Sequence, residues 1–524
     1  MNAAPQVPYA TVPPGEASPP RYEGATDFDR ELTLRDGVTV LLDVYRPAAP
    51  GRRFPALVAL SPYSRQLQRT AVAWGPNEAG LSAFWTARGY AHVVVDVRGT
   101  NGSGGEWDML GPLEQADYAE IVELVAAEPW CDGRVGMAGC SYFAMAQNLA
   151  AARNPPSLRA VFPYDAMTDM YRWRFFPGGI PNEFGNLWFN QVSALNNASG
   201  RNPDSRAIAH HAHTVLSLEQ PFDGEYYRSR SAWPVLHESR VPSYFGSDWS
   251  FYQGHLAGAF DGWRRTGAPV RRLLVGPRPT PFRPFAAYHV EALRWYDMFL
   301  KDMATGVLDG SPIRLWISGD DEWRGEDEWP LERTRFEEWH LAPDGRLGPA
   351  VADEGEVVIE LDPASDDWLR GLPKLSFRSE PTSRPMELTG PLELVLLCTS
   401  TATDADWIAT VHDEGPDGRT RELTKGRLRS SHRAINEAES AVHEPWHPHT
   451  EALPLVPDRP TELRIGLAPT CNVFAAGHRV RLELANSEST ALLVERAKAL
   501  RGAATNTVLT GRHGSRLLVP LVPR

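Results

Sequence analysis

The stretch Arg134-Val-Gly-Met-Ala-Gly-Cys-Ser-Tyr-Phe-Ala-Met-Ala-Gln147 joins a short β-like run, a glycine turn and the start of an alanine-rich helix. Ser141 lies at the turn. In such a strand–turn–helix the serine is strained with its hydroxyl exposed, and the backbone N–H of Tyr142 faces a developing oxyanion. The pattern therefore predicts a nucleophile elbow. Phe143 replaces the second glycine of Gly-x-Ser-x-Gly, so a buried serine that caps a helix is the alternative interpretation.

The composition is that of an ordinary globular protein with more than one domain. The 524 residues exceed the roughly 250–300 that a single core supports. A net charge of −13 without a basic run argues against nucleic acid and anionic membranes as partners. No run of about 18 apolar residues predicts a membrane span. A small-molecule substrate is the expected partner, and self-association into a homo-oligomer stays open.

The four cysteines show no paired spacing typical of a metal site, and Cys140 is expected to be a small buried side chain. Reduced thiols fit a cytoplasmic location best. Residues 1–24 are rich in proline without an apolar run of signal-peptide length, so we interpret them as a docked or disordered extension. No motif in the chain requires a metal or another cofactor.

Strand and helix patterns alternate from residue 25 to 165. Three apolar runs are typical of buried strands: Val38–Tyr45, Phe54–Leu60 and Tyr90–Asp96. Apolar residues at helical spacing follow at 118–125. Such alternation predicts a mostly parallel sheet with helices on both faces, and the elbow then lies at the carboxyl end of a strand.

Residues 166–240 break this alternation and are dense in aromatic side chains, which predicts an inserted helical cap. Trp173, Phe176 and Trp188 are candidate substrate-binding residues, and packing within the cap is the alternative. The run His210-His-Ala-His213 is interpreted as a solvated helical segment, since no acidic residue lies at ligand spacing.

Short β-rich runs with turn signals follow, which predicts a C-terminal jelly roll over 335–524. The α/β domain then spans 25–165 and 241–334. His443, His447 and His449 fall in a proline-rich crossing of the β domain, where we predict no metal site.

Many ordered motifs resemble those of the cocaine esterase / X-prolyl dipeptidyl peptidase (CocE/NonD) family, from about residue 27 onward. They are Arg35-Asp-Gly-Val38, Ser61-Pro-Tyr63, Arg88-Gly-Tyr90, Asp96-Val-Arg-Gly-Thr100, Gly102-Ser-Gly104, Pro129-Trp-Cys-Asp-Gly-Arg-Val-Gly136, Leu293-Arg-Trp-Tyr-Asp297, Asp404-Ala-Asp-Trp407, Gly426-Arg-Leu-Arg-Ser-Ser-His-Arg433 and Phe474-Ala-Ala-Gly-His-Arg479. The resemblance implies an α/β-hydrolase fold with an inserted helical cap and a C-terminal all-β jelly roll. It also implies Ser141 as nucleophile, with the Tyr142 N–H and the Tyr63 hydroxyl as oxyanion donors.

The acid and base of the family's triad are replaced in this chain. Ser250 stands in the acid's place within Gly246-Ser-Asp-Trp-Ser-Phe-Tyr-Gln-Gly254, and Thr280 stands in the base's place within Gly276-Pro-Arg-Pro-Thr280. Asp248, His255 and His289 are candidate substitutes, each with structural packing as its alternative.

Three hypotheses of function follow from this combination. The first is a non-hydrolytic enzyme that promotes cyclisation, isomerisation, condensation or elimination on a small carbonyl compound through the retained oxyanion donors. The second is a serine ester or amide hydrolase, or an acyltransferase, with a relocated acid and base. The third is a non-catalytic binding protein.

Overall fold

The computed structural model describes residues 17–70, 78–182, 188, 191–194, 196, 219–249, 253–278, 288–361, 373–486 and 504–524. In this part of the chain the strands form two sheets, one of ten strands and one of eleven. The predicted N-terminal extension, apart from residues 17–24, and the histidine run at 210–213 lie outside the described residues.

The first sheet has the strand order β1-β2-β4-β3-β5-β6-β7-β8-β9-β10 among the described residues. Its strands are Gly24–Thr33 (β1), Thr39–Pro47 (β2), Phe54–Ser61 (β3), Ala91–Asp96 (β4), Cys131–Met137 (β5), Leu158–Val161 (β6), Ser243–Asp248 (β7), Arg271–Gly276 (β8), Ile313–Ile317 (β9) and Glu322–Glu326 (β10). All pairings from β4 through β3 to β9 are parallel. The apolar runs predicted as strands form β2, β3 and β4, and β3 and β4 are buried along their whole length.

Helices cover both faces of this sheet. The described α-helices are Gln66–Thr70 (α1), Ser82–Ala87 (α2), Pro112–Ala126 (α3), Tyr142–Ala152 (α4), Glu225–Arg228 (α5), Gln253–Arg265 (α6) and His289–Lys301 (α7), of which α5 belongs to the cap and not to a face of the sheet. On one face α2 packs on α7 through the rings of Trp85 and Tyr296, 5.8 Å apart. The helix α4, which follows the elbow, is buried at every position, so its alanines allow close packing against the sheet.

The described part of the cap contains a π-helix at Met170–Phe175 and 3₁₀ turns at Pro177–Gly179 and Leu236–Glu238. The Asp169 side chain accepts from the Arg172 N–H at the start of the π-helix. A buried arginine ties the cap to the proline-rich crossing of the β domain, because the Arg172 side chain donates to the backbone oxygen of His447 at 2.8 Å.

The second sheet is antiparallel throughout its paired strands. They are Arg335–Leu341 (β11), Leu347–Gly348 (β12), Gly355–Leu361 (β13), Lys374–Arg378 (β14), Met386–Ser400 (β15), Asp406–Glu414 (β16), Thr420–Arg429 (β17), Thr461–Phe474 (β18), Arg479–Ala485 (β19), Ala504–Thr510 (β20) and Arg516–Val522 (β21). Alternating side chains of β18 and β19 fill a separate apolar core.

This architecture confirms the predicted fold class: an α/β-hydrolase domain with a cap, followed by an all-β domain of jelly-roll type. The boundaries at 165/166, 240/241 and 334/335 stay predictions. Cys140 is a thiol outside any disulfide and is fully buried, as expected. None of the helices in the described residues combines the length and the apolarity needed to cross a bilayer.

Candidate active site

The predicted elbow is present between β5 and α4. Ser141 has φ 61° and ψ −119°, a conformation that non-glycine residues rarely adopt and that clusters at functional sites. Its N–H donates to the backbone oxygen of Tyr164 at 3.1 Å, and its carbonyl accepts from Met145 at 2.9 Å. A Cβ at Gly139 would lie 2.6 Å from the Cβ of Phe143, so the turn requires glycine at this position.

The carboxyl ends of the parallel strands bring the candidate residues to one edge of the sheet. Tyr63 follows β3, Ser141 follows β5 and Asp248 ends β7. Tyr164 bridges this edge, since it pairs with Cys140 on one side and with Gly246 on the other. Two strand spacings of roughly 4.8 Å separate the elbow from the end of β7.

The Tyr63 hydroxyl is held next to the elbow by aromatic neighbours. The Trp188 indole Nε1–H donates to the Tyr63 hydroxyl oxygen at 2.9 Å. The Trp188 ring stacks on Tyr142 at 5.9 Å, and Phe143 lies 5.8 Å from the Tyr63 ring. Because an indole N–H can only donate, the Tyr63 oxygen is the acceptor and this bond does not use the phenol's own proton.

A buried ionic network fixes the loop that carries Tyr63. The Arg65 side chain is fully buried, and its guanidinium pairs with Asp29, Asp43 and Asp96. The Arg65 backbone N–H donates to Asp96 at 2.8 Å. Burial raises the pKa of Asp96 to about 7, against the opposing charge of Arg65. Two residues after Tyr63, the backbone is therefore anchored to the neighbouring strands.

Glu114 is buried beneath Tyr142, on the side away from solvent. Its carboxylate accepts from the Tyr142 hydroxyl at 2.8 Å, from the Tyr118 hydroxyl, and from the Leu110 N–H at 2.9 Å. Burial raises the pKa of Glu114 to about 7, although the hydrogen bonds from the two tyrosines lower it. Tyr142, whose backbone N–H would be an oxyanion donor, is therefore also fixed through its side-chain hydroxyl.

The candidate substitutes for the acid and base occupy different environments. Asp248 is buried at the end of β7. His255, near the start of α6, is buried beside Trp173 and lines a cavity between the domains. His289, at the start of α7, packs against Phe84 and Trp85, with ring centroids 4.9 and 5.0 Å away.

The environment of His289 disfavours it as a general base. Burial, together with the nearby His92 and Arg88, lowers the pKa of His289 to about 3. A general base works best with a pKa near the operating pH. The imidazole therefore fits the packing alternative that the sequence left open.

Ser250 and Thr280 lie outside the described residues. Of the candidate substrate-binding residues, Trp188 lies at the elbow and Trp173 lines the cavity beside His255. Phe176 is buried inside the cap, stacked on Tyr171 at 5.1 Å. We therefore leave Phe176 out of the proposed site.

Sequence reasoning missed Glu114, Arg65 and Asp165. Asp165 follows β6 with φ 57°, is fully buried, and its carboxylate accepts from the Ser247 hydroxyl at 2.7 Å. The position of Asp165 after a strand end could have identified it as a candidate from the sequence. The sequence gave no such indication for Glu114, because acidic residues are common in the first turn of a helix.

The histidines of the proline-rich crossing have protein partners. Both ring nitrogens of His447 lie 2.9 Å from backbone oxygens, and His443 contacts Glu393. Within the described residues, no group of three or more His, Cys, Asp or Glu side chains is arranged to hold a metal ion.

Known proteins are similar to this chain in two segments, one that includes the elbow and one that includes the β domain. A family model described as X-Pro dipeptidyl-peptidase (S15 family) matches residues 36–257, and one described as X-Pro dipeptidyl-peptidase C-terminal non-catalytic domain matches residues 294–517. Cocaine esterase from Rhodococcus sp. is 25% identical over 94% of this chain and 98% of its own length. The chain therefore contains segments similar to both domains of X-Pro dipeptidyl peptidases, and it resembles the cocaine esterase / X-prolyl dipeptidyl peptidase family.

Solved structures are similar to this chain at the level of the fold. A CocE/NonD family hydrolase from Staphylococcus aureus has a TM-score of 0.81 at 23% identity, over 95% of this chain and 94% of that one. An α-amino acid ester hydrolase has a TM-score of 0.78 at 18% identity, over 99% and 100% of the two chains.

We expect Arg65→Met to destabilise the protein by about 3–5 kcal/mol, because removing one partner leaves buried carboxylates without their counter-charge. Urea denaturation measures the loss. The matched control is Arg69→Met, since Arg69 pairs with the same Asp29 and Asp43 from a partly exposed position. Equal losses in the two variants would contradict the central role of Arg65.

We expect Glu114→Gln to flatten the pH dependence of stability. The folded-state pKa of about 7 lies above the ordinary value, so the contribution of Glu114 to stability is complete in acid and is lost as the pH rises through 7. From about pH 5 to 8, the free energy of unfolding of the wild type should fall by roughly 2–3 kcal/mol relative to the variant. Urea denaturation at four pH values measures this, with Glu120→Gln on the outer face of α3 as control. If the free energy of unfolding changes with pH in parallel for the wild type and Glu114→Gln, the raised pKa of Glu114 is contradicted.

Proposed function

We propose that this protein polarises the carbonyl group of a small metabolite without acting as an ordinary serine hydrolase. The observation that supports this is the Tyr63 hydroxyl, held at 2.9 Å from the Trp188 indole beside a strained elbow. The sequence keeps this donor and the elbow, yet has Ser250 and Thr280 where the family has its acid and base.

The replaced residues remove the usual route to an acyl-enzyme. A serine hydroxyl is a weak nucleophile at neutral pH unless an adjacent base takes its proton. Removing the histidine of such a triad costs about 10⁶-fold in turnover in a serine protease. Neither a serine nor a threonine hydroxyl replaces an imidazole as a proton acceptor at this pH.

The retained donors suit reactions in which negative charge develops on a carbonyl oxygen. Each preorganised donor in a water-poor site stabilises such a charge by about 3–4 kcal/mol. Lactones, esters, amides and enolisable ketones all develop that charge during cyclisation, isomerisation, condensation or elimination. Tyr63 and the Tyr142 N–H would bind the oxygen, and the aromatic side chain of Trp188 would contact the body of the substrate.

A hydrolase or acyltransferase with a relocated acid and base is the second candidate. Two buried carboxylates at the same sheet edge favour it: Asp165, next to the Tyr164 carbonyl that binds the elbow, and Asp248 at the end of β7. His255 is the remaining candidate base. A binding protein without catalysis is the third candidate, and it predicts no product with any carbonyl compound.

We expect negligible turnover of 4-nitrophenyl acetate and no labelling of Ser141 by fluorophosphonates, because both report activated nucleophilicity. Absorbance and intact-mass spectrometry measure the two outcomes. The control is a wild-type serine esterase treated in parallel. Stoichiometric labelling that Ser141→Ala abolishes would overturn the proposal and support the relocated acid and base.

We expect Tyr63→Phe to lower the rate of the true reaction by about 10²-fold or more, since it removes one oxyanion donor. Ser141→Ala should cost much less, because the Tyr142 N–H is backbone. The reaction is found by incubating the protein with lactones, esters and enolisable ketones and following products by mass spectrometry.

The matched control is Tyr22→Phe, whose ring packs on Phe54 at the opposite end of β3. It should leave the rate unchanged. A total loss in Ser141→Ala would show that the serine performs covalent or proton-transfer chemistry, which contradicts the proposal.

A further inference from the structure

A continuous series of side-chain contacts connects a buried carboxyl group to the Tyr63 hydroxyl. The first contact is the hydrogen bond from the Tyr142 hydroxyl to Glu114 at 2.8 Å. The Tyr142 ring then stacks on Trp188, with centroids 5.9 Å apart and an angle of 18° between the planes. The Trp188 indole N–H finally donates to the Tyr63 hydroxyl oxygen at 2.9 Å. An ionisable group is therefore linked to the phenol that would bind the substrate's carbonyl.

The hydrogen bonds at Glu114 fit an ionised carboxylate. Its Oε1 accepts from the hydroxyls of Tyr118 and Tyr142, and its Oε2 accepts from the Leu110 N–H at 2.9 Å. An ionised carboxylate only accepts hydrogen bonds, whereas a protonated one also has a proton to donate. When Glu114 takes up a proton, at least one of these three donors must therefore turn away or become an acceptor.

Tyr142 is the partner of Glu114 whose change would reach the elbow. Its oxygen also accepts from the Leu110 N–H at 3.3 Å and from the Trp107 indole N–H at 3.4 Å, both long for hydrogen bonds. Tyr142 is completely buried, and its ring lies almost parallel to that of Trp188. Because closely packed interiors transmit displacements, a shift of the phenol would alter the contact with Trp188.

The groups around Glu114 come from three parts of the chain. Asp108, in the loop before α3, pairs with Arg230, which follows α5. The helix α4, packed against α3, carries no charged side chain and contributes Tyr142. Burial raises the pKa of Glu114 to about 7; the charge of Asp108 also raises it, and the hydrogen bonds from Tyr118 and Tyr142 lower it. Glu114 therefore changes its charge near neutral pH.

We infer that Glu114 is a positioning residue for the oxyanion site, and that its gain or loss of a proton alters the Trp188–Tyr63 hydrogen bond through the ring of Tyr142. The observed arrangement, in which both phenols donate to Glu114, corresponds to the ionised form. The inference rests on the proposed function only for the role of Tyr63 as a donor to the substrate. The coupling between Glu114 and Trp188 is a property of the protein without substrate.

The Trp188 indole N–H signal in an NMR spectrum tests the coupling on the full chain. Labelling with 15N-tryptophan gives one indole signal for each tryptophan, and Trp188→Phe identifies that of Trp188. We expect its chemical shift to change with pH, with a midpoint near pH 7, and Glu114→Gln to abolish the change. Glu120→Gln, on the outer face of α3, is the matched control and should titrate as the wild type does.

A Trp188 signal that does not change with pH in the wild type would overturn the inference. So would an equal change in the wild type and in Glu114→Gln. The guanidinium of Arg174, 4.5 Å from the Trp188 centroid, cannot cause the titration because it keeps its proton throughout this pH range.

Two phenol variants test the route of the coupling. Tyr142→Phe and Tyr118→Phe each remove one hydroxyl from the same carboxylate oxygen. The Trp188 signal should lose its pH dependence in Tyr142→Phe and keep it in Tyr118→Phe, with a higher midpoint because that phenol lowers the pKa of Glu114. Any other pattern would overturn the route through Tyr142. The pair decides the question even if melting temperatures show that Glu114→Gln is unfolded.

Tyr63→Phe separates this inference from the proposed function. It removes the oxygen that accepts the Trp188 indole N–H, so the shift of this proton should change at every pH. An unchanged signal would overturn the inference. If all variants behave as expected and no carbonyl compound is turned over, the coupling stands and the proposed function alone fails. If a carbonyl compound is turned over and the Trp188 signal does not titrate, the inference alone fails.

Discussion

The parallel pairing of β3 with β5, of β5 with β6 and of β6 with β7 is the constraint on which the rest of the site depends. Parallel strands end on the same side of a sheet, so the loops that follow them converge. Tyr63, Ser141 and Asp248 meet at one edge for this reason and not through local sequence. The strained turn at Ser141 is tolerated because β5, α4 and the Tyr164 carbonyl fix both of its ends.

Buried polar networks behind this edge hold the donors in place. Arg65 anchors the loop after β3, and Glu114 holds the ring of Tyr142 from below. Both networks lie away from the position a substrate would occupy. Leaving any of their members without a partner would cost several kcal/mol, so the loop and the ring have little freedom. Preorganisation of this kind is what makes an oxyanion donor effective.

The cap and the β domain complete the site from outside the sheet. Trp188 of the cap bonds to Tyr63, and Arg172 of the cap bonds to the His447 carbonyl of the β domain. Movement of the cap would therefore disturb the Tyr63 hydroxyl directly. A cavity lined by α6, the cap and the β domain lies at this junction.

The sequence by itself determined the fold class and the elbow. Apolar runs predicted β2, β3 and β4, and the glycine turn predicted the place of Ser141, because strands and tight turns have local periodicity and steric requirements. The replacement of the triad's acid and base by Ser250 and Thr280 stays a prediction from the sequence, which rests on matching those positions to the family's motifs.

Only the tertiary structure decided how the retained groups are supported. Trp188 and Tyr63 are 125 residues apart, and the partners of Arg65 come from three separate segments. It also showed that His289 packs against the aromatic rings of Phe84 and Trp85. Such contacts depend on which surfaces meet when the sheet, the cap and the β domain pack, and no local pattern in the chain specifies that geometry.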